Sequence, residues 1–570
     1  MASNANANPA VAATATATKP KLHGRAFYES IGSPKFVVAP MVDQSEFAWR
    51  MLTRSFMTPA ENAKLLAYTP MFHARLFEET PKYRESHFQS TFCANDPAHL
   101  LAAARHAAPY CDAIDLNLGC PQGIARKGHY GAFLQEDQDL IFCLINNLHN
   151  NLPIPVTAKI RVLETKEQTL AYAQNVLNAG ASIITVHGRR REQKGHLTGV
   201  ADWSFIRYLR ENLPRDTVIF ANGNVLQPGD VDKCLEATGA DAVMSAEGNL
   251  SDPAIFGAAP PVGQEGREYW RGKDGRGGYR VDAVFRRYMN IIHQHVLQQE
   301  PPSRRPLFVI GDDESGVKNE KAADEGEDAE EEGPARKKRK KEGGGGGKPK
   351  ACTDSNLLAM RPHLFHLLRH FVSKHTDIRD ALARARPGDM AAFEDVLDKV
   401  EHRVAEDLVE YEKADGQSIE ADLAAVKAPP SAANGDNKGK EKKAEAEAEA
   451  EVEEEDPDYD PESSVATVKQ CKRPWWVVQP IVRPLPKEAL AKGALSLSKK
   501  DKKKMMEEEQ KQQQQQQQKA QNAAAVAAPL DSSSKVPEEE LPKPDRKEAI
   551  KEPPMDDKAS GLTSDELVCG

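Results

Sequence analysis

Cys120 stands three residues beyond Asn117 in the run Asp115-Leu116-Asn117-Leu118-Gly119-Cys120-Pro121, and a Gly-rich basic stretch, Ala125-Arg126-Lys127-Gly128-His129-Tyr130-Gly131-Ala132, follows it. Residues 113–117 have the character of a short buried strand, which Gly119 and Pro121 end sharply. Such a turn leaves Asn117 and Cys120 at the strand's C-terminal rim, where a thiol can act as proton donor or nucleophile. Taken alone, a cysteine there is equally a small hydrophobe packed beside a turn. Other polar or small groups end other apolar runs: Met41, Gln89, Lys159, His187, Asn222-Gly223-Asn224 and Ala246-Glu247-Gly248. Each has a packing explanation by itself, Lys159 as a snorkelling cation and His187 as a satisfied core histidine. Gathered at one rim they make a site.

The elements that would gather them are eight strand–helix units between Phe36 and Gly257. Strands are expected at residues 36–41, 66–71, 88–93, 113–117, 156–162, 183–188, 218–223 and 242–248. Helical periodicity follows each, over 46–54, near 74, and over 96–109, 137–149, 166–179, 203–212, 230–238 and 252–256. Near-continuous Val/Ile-rich strands alternating with helices mean a parallel sheet covered on both faces. Eight units fit an α/β fold of the (β/α)8 TIM-barrel type, with chemistry where the strands end. An open doubly wound sheet is the runner-up, but no GxGxxG follows the first strand. The glycines of 222–224 and 246–249 stand before helices, where free N–H groups favour an anion such as a phosphate. Lys159 would lie over the barrel mouth as a fixed positive charge, which suits an anionic reduced flavin ring. Met41 and Gln89 would flank such a ring.

Composition bounds the rest. The chain has 570 residues and a formal net charge of −10. Residues 1–20, 311–350 and 414–570 are too polar or repetitive to bury a core and are expected to be disordered. The negative total does not exclude a nucleic acid, since much of the acid lies in these tails while the folded part carries basic clusters. Eight scattered cysteines without a CxxC pair argue against a zinc ribbon, and no metal is expected. No apolar run reaches the length of a membrane span, so the chain reads as soluble, in a reducing compartment.

The ordered motifs Ala39-Pro40-Met41-Val42-Asp43, Asp115-Leu116-Asn117-Leu118-Gly119-Cys120-Pro121, Lys159-Ile160-Arg161, Thr185-Val186-His187-Gly188-Arg189 and Ala221-Asn222-Gly223-Asn224 resemble the tRNA-dihydrouridine synthases, a flavin-dependent family. The Gln193-Lys194-Gly195 continuation and Trp475-Trp476-Val477-Val478-Gln479-Pro480 resemble its eukaryotic branch that reduces D-loop uridines 16 and 17. The resemblance implies FMN in the barrel mouth, reduced by NADPH with NADH as the alternative, and tRNA as partner. It implies hydride transfer to C6 of a uracil and protonation of C5 by Cys120. Pro40, Met41, Gln89, Lys159, His187, Asn222, Gly223, Asn224, Ala246, Glu247 and Gly248 then fall to the cofactor. Asn117 falls to the uracil edge, and Arg126, Lys127, Arg189, Arg190 and Lys194 to the RNA backbone. The family often has Asp where Asn224 stands and a basic residue near Glu247.

Residues 279–306 with 355–413 read as a small helical bundle interrupted by the insert, with Arg286, Arg287, His363, His366, Arg369 and His370 on its polar side. The family carries a helical RNA-binding domain after its barrel. In the insert, Arg336-Lys337-Lys338-Arg339-Lys340-Lys341 reads as a nuclear localisation signal or a nucleic-acid tether, giving cytoplasm and nucleus as expected compartments. The Trp475-Trp476 patch, in a strip over 473–487, suggests a docking segment. Two other readings compete: a flavin barrel reducing a small pyrimidine or enone, which leaves the bundle and basic rim unexplained, and a non-catalytic RNA-binding protein, against which Cys120, Lys159 and His187 argue.

Overall fold

A computed structural model of the chain describes residues 21–81, 91–194, 198–273, 275, 277–316, 352–416 and 473–481. All belong to one compact unit. Gln89, the Arg336–Lys341 run, residues 1–20 and the expected disordered tail at 417–472 and 482–570 lie outside the described residues.

Nine strands form one parallel sheet: β1 (Phe36–Val38), β2 (Leu65–Ala67), β3 (Met71–His73), β4 (Thr91–Cys93), β5 (Ile114–Leu118), β6 (Val156–Arg161), β7 (Ala181–His187), β8 (Val218–Asn222) and β9 (Ala242–Ser245). Their order is β2-β1-β9-β8-β7-β6-β5-β4-β3. β2 and β3 are consecutive in the chain, so the two ends of that list are one segment and the circuit closes as a TIM barrel. The expected single strand over 66–71 is thus two short ones. Pro70 separates them and has no N–H for the ladder, so β2 pairs with β1 while β3 pairs with β4. Val, Ile, Leu and Phe fill the strands, and β5 through β8 are buried at every position.

The helices between strands carry caps written in the sequence. Asp96 and Asp137 accept backbone N–H groups at their helix starts, and Thr165 with Gln168 forms a capping box. Gly180 follows the Lys166–Asn178 helix at φ +112°, a turn that favours glycine. After β9 the chain departs from expectation. The short helix spans Glu247–Ser251, not 252–256, because Asp252 caps a turn instead, accepting from the Ala254 N–H at 3.0 Å.

The bundle comprises Val281–Ile291 with a π-helical turn at Ile292–Val296, then Ser355–Leu367, Phe371–Lys374, Thr376–Arg384 and Met390–Lys413. Several of its basic residues do not form an outer face. Arg286 pairs with Glu401 at 2.7 Å. Arg287 lies 4.2 Å from the centre of the Phe56 ring and donates to Ser55 of the barrel. His363 is buried against Glu46, 2.9 Å away. Arg369, Arg379 and Arg384 are exposed. Residues 473–481 lie along the hairpin of Tyr269–Arg271 and Gly277–Tyr279. The Val478 N–H donates to the Tyr279 carbonyl, and the Val281 N–H to that of Trp476, both at 2.9 Å. Trp476 is buried edge-on against Trp270 and Tyr411.

Candidate active site

The parity of the strands decides which side chains enter the barrel. Asn117 on β5 is opposite Lys159 on β6, and Lys159 is opposite Thr185 on β7. Two residues further, Arg161 is opposite His187, and His187 is opposite Asn222 on β8. Paired residues of a parallel sheet share a face and i, i+2 residues repeat it, so Asn117, Lys159, Arg161, His187 and Asn222 line the interior at the C-terminal rim. All are buried.

Cys120 sits just past this rim in a loop fixed from three sides. The Asn117 side-chain Oδ1 accepts the N–H groups of Gly119 and Cys120, each at 3.0 Å. Arg161 donates from Nε to the Gly119 carbonyl at 2.7 Å. Lys194 donates to the Pro121 carbonyl at 2.8 Å. The Gly-rich stretch folds back over the loop. The Ala132 N–H donates to the Cys120 carbonyl, and Gly131, at φ +64°, lies so close that a Cβ there would stand 2.8 Å from that oxygen. The thiol packs with Met71, Cys93, Ala125 and Tyr130, an apolar cluster apart from the main core. Asn117, expected at the uracil edge, also donates from Nδ2 to the Met71 sulfur at 2.9 Å. Its amide therefore holds the turn that presents Cys120.

Opposite, the loops after β7, β8 and β9 form a cationic cradle. Arg189, expected among the RNA-holding cations, is buried and directed inward: it donates to the Gly199 carbonyl from Nε at 3.1 Å, reaches His187 Nε2 at 3.2 Å and donates to the Asn224 side chain. Asn224 itself is left-handed at φ +58°, a conformation asparagine tolerates. Gly223, at φ +110°, approaches His187 and Ala201 so closely that a Cβ would be 2.7 Å from Ala201. Asn222 donates from Nδ2 to the Met244 carbonyl, while its side-chain Oδ1 is buried without a partner. Asp230 accepts the Leu226 and Gln227 N–H groups just before the Pro228–Thr238 helix, and the helix after β9 has 5 residues. Positive side chains and glycine-lined backbone line the cradle beside these helix starts. Gly248 has a second reason to be glycine, since a Cβ there would stand 2.1 Å from the Val225 carbonyl. Pro40, Met41, Ala246 and Glu247 are buried around this mouth, and Arg126, Lys127, Arg190 and Lys194 are exposed.

One layer below Lys159 lies a group that periodicity did not single out as functional. Asp115 is buried and accepts from Thr157 Oγ1 at 2.8 Å. Burial pushes its carboxyl up to about 6, against the opposing effects of Thr157 and the Lys159 charge. Burial likewise raises the Cys93 thiol and the Tyr68 phenol. Arg161 was also missed as a brace for the thiol loop, although its i+2 spacing from Lys159 marks it as inward-facing.

A closed parallel barrel carrying a thiol loop and a cationic, glycine-lined cradle at the C-terminal ends of its strands has the architecture of a TIM-barrel enzyme. Residues 37–295 match the family described as "Dihydrouridine synthase (Dus)". The chain is 44% identical over 377 residues to a tRNA-dihydrouridine(16/17) synthase of Saccharomyces cerevisiae, covering 64% of this chain and 72% of that one. It is 42% identical over 398 residues to the protein of that name from Schizosaccharomyces pombe, covering 68% and 82% respectively. A mouse tRNA-dihydrouridine(16/17) synthase-like protein is 46% identical over 263 residues, 44% of this chain and 54% of that one. The chain belongs to the dihydrouridine synthase family. Among the described residues no helix is long and apolar enough to cross a membrane, and no cluster of three metal-ligating side chains occurs.

Proposed function

We propose that this chain reduces uridine to 5,6-dihydrouridine in tRNA, using FMN in the barrel mouth and NADPH as reductant, at D-loop positions 16 and 17. The observation that carries the reading is the placement of Cys120 and the Lys159–His187–Arg189 cradle at one rim of the barrel. The residues present fit FMN. The phosphate of the cofactor needs a positive donor and close backbone, which Arg189 and the glycine-lined loop at Gly223 supply. The unpartnered Asn222 oxygen is an acceptor waiting for a donor. When bound, reduced FMN supplies the hydride that goes to C6 of the uracil.

The chain's own residues do the rest. Lys159 neutralises negative charge on the isoalloxazine ring, and Met41 walls its edge. Asn117, Arg161 and Lys194 hold the loop so that the Cys120 sulfur faces the substrate. Cys120 then delivers its proton to C5; a general acid must keep that proton until the transition state, and apolar neighbours disfavour a thiolate. The uridine must leave its stack to enter, which costs a few kcal/mol. The exposed Arg126, Lys127 and Arg190 hold the RNA backbone, with the bundle's outer arginines as a second contact. The test is to purify the protein, record a flavin spectrum, and follow NADPH oxidation with unmodified tRNA, mapping dihydrouridine by nuclease digestion and mass spectrometry. Oxidation that depends on tRNA and leaves dihydrouridine at 16 and 17 supports the reading. A colourless protein that takes up no FMN, or one that reduces free uracil and ignores tRNA, overturns it.

A further inference from the structure

The two loops of the cradle are interlocked, and a third element from outside the barrel holds them. Ser245 donates to the Val225 carbonyl at 2.8 Å and accepts the Asn249 N–H at 3.1 Å. The Asn249 side chain is bound at both ends: Nδ2 donates to Thr53 Oγ1 at 3.0 Å, and Oδ1 accepts from Trp49 Nε1 at 2.9 Å. Trp49 lies on the first barrel helix, Phe47–Ser55, and is fully buried. Its other face is covered by His363 of the bundle helix Ser355–Leu367, stacked at 3.9 Å with 6° between the ring planes. His363 in turn bonds Glu46 at 2.9 Å, with both side chains at most 1% exposed. Tyr288 closes the cluster edge-on to both rings.

We propose that Trp49 and His363 are positioning residues for the cofactor cradle, so that the bundle must be docked for the loop after β9 to take its binding geometry. Trp49 reaches the cradle only from behind, through Asn249, and His363 only through Trp49. Trp49 fixes the rotamer of Asn249, Asn249 fixes the loop against Ser245 and Val225, and His363 fixes the plane of Trp49. A buried stack and a buried hydrogen bond have one well-packed arrangement, so each link is directional. The coupling is reciprocal: a cofactor that prefers the ordered loop also strengthens docking of the bundle. The inference rests on the reading that these loops hold FMN.

The experiment measures FMN affinity of deflavinated full-length protein by quenching of flavin fluorescence, at a temperature where circular dichroism shows every variant folded. Trp49→Phe keeps an aromatic ring for His363 but removes the N–H to Asn249. His363→Gln removes the stack while leaving Glu46 a donor. Each is expected to weaken FMN binding about tenfold, the usual scale for leaving a buried polar group unsatisfied. Leu382→Ala is the control: it opens the bundle's own core on the Thr376–Arg384 helix, so it should lower the melting temperature without changing the FMN Kd. Affinities of Trp49→Phe and His363→Gln equal to wild type, or an equal loss in Leu382→Ala, overturn the inference while leaving the proposed function intact. A wild-type protein that takes up no FMN removes both.

Discussion

At the scale of single residues, Cys120 and Asp115 show how five positions along one strand and its loop separate two kinds of acid. Cys120 stands in an apolar wall at the rim, and Asp115 is sealed below it. Cys120→Ala should keep the rate of flavin reduction by NADPH but slow single-turnover reduction of tRNA uridine by ~10²–10⁴-fold, the range for loss of a general acid; rapid-quench analysis of dihydrouridine reads this directly. Asp115 gives a pH signature. Its folded value of about 6 exceeds the ordinary 3.8, so the folded state binds the proton more tightly and stability falls as pH rises from about 4 to about 6, then levels. Asp115→Asn should flatten that slope, so that its stability difference from the wild type shifts in its favour by about 3 kcal/mol between pH 4 and pH 7, as read from urea unfolding across that range. Asn117, Lys159, His187 and Asn222 were legible in the sequence because each is a polar residue in an otherwise apolar run, and strand parity puts all of them inside. Arg189 was not legible. Its neighbours Arg190 and Arg191 suggested a surface cluster, and only the fold reveals that the first of the three turns in to meet Asn224 and His187.

At the scale of elements, the alternation of apolar strands and capped helices was readable nearly to the residue, as with Trp203–Asn212. What escaped was contact between elements far apart in sequence. Asp252 looks like a helix cap, but it also faces Arg473 at 3.6 Å, and that second partner lies more than two hundred positions later. The bundle's cations looked like a nucleic-acid face because their acids, Glu401 and Glu46, lie 115 and 317 positions away in the chain. Gly248 belongs to this scale too. Its backbone lets the loops after β8 and β9 lie against each other, so Gly248→Ala should force them apart, lowering thermal stability by about 1–3 kcal/mol, the usual cost of overpacking. Differential scanning calorimetry would measure it. An unchanged melting temperature would mean that the loops part freely.

At the scale of the whole molecule, the contacts that join barrel and bundle include the buried cluster at Trp49, the Arg287 contact with Phe56 and Ser55, and the strip over 473–481. Trp476→Ala removes a buried ring between Trp270 and Tyr411 and should cost about 3–5 kcal/mol, seen as a lower unfolding midpoint in denaturant. The exposed Arg369, Arg379 and Arg384 are proposed to face tRNA. Their reversal to glutamate should weaken tRNA binding and flatten its salt dependence by about 0.7–0.9 in log–log slope per lost phosphate contact, with FMN content unchanged. Deleting residues 336–341 should leave that slope intact and shift a fluorescent fusion toward the cytoplasm; retention in the nucleus would remove the localisation role of the run. The Glu46–His363 pair finally has a consequence for biogenesis. Its partners are 317 residues apart, so at ~5–20 residues per second a ribosome delivers the histidine about 15–60 s after the glutamate. Throughout that interval the nascent barrel carries an acid with no counterpart and a tryptophan with one bare face. The emerging N-terminal part is therefore a client for chaperones until the codon for His363 has been read, and a stall before that codon would strand it there.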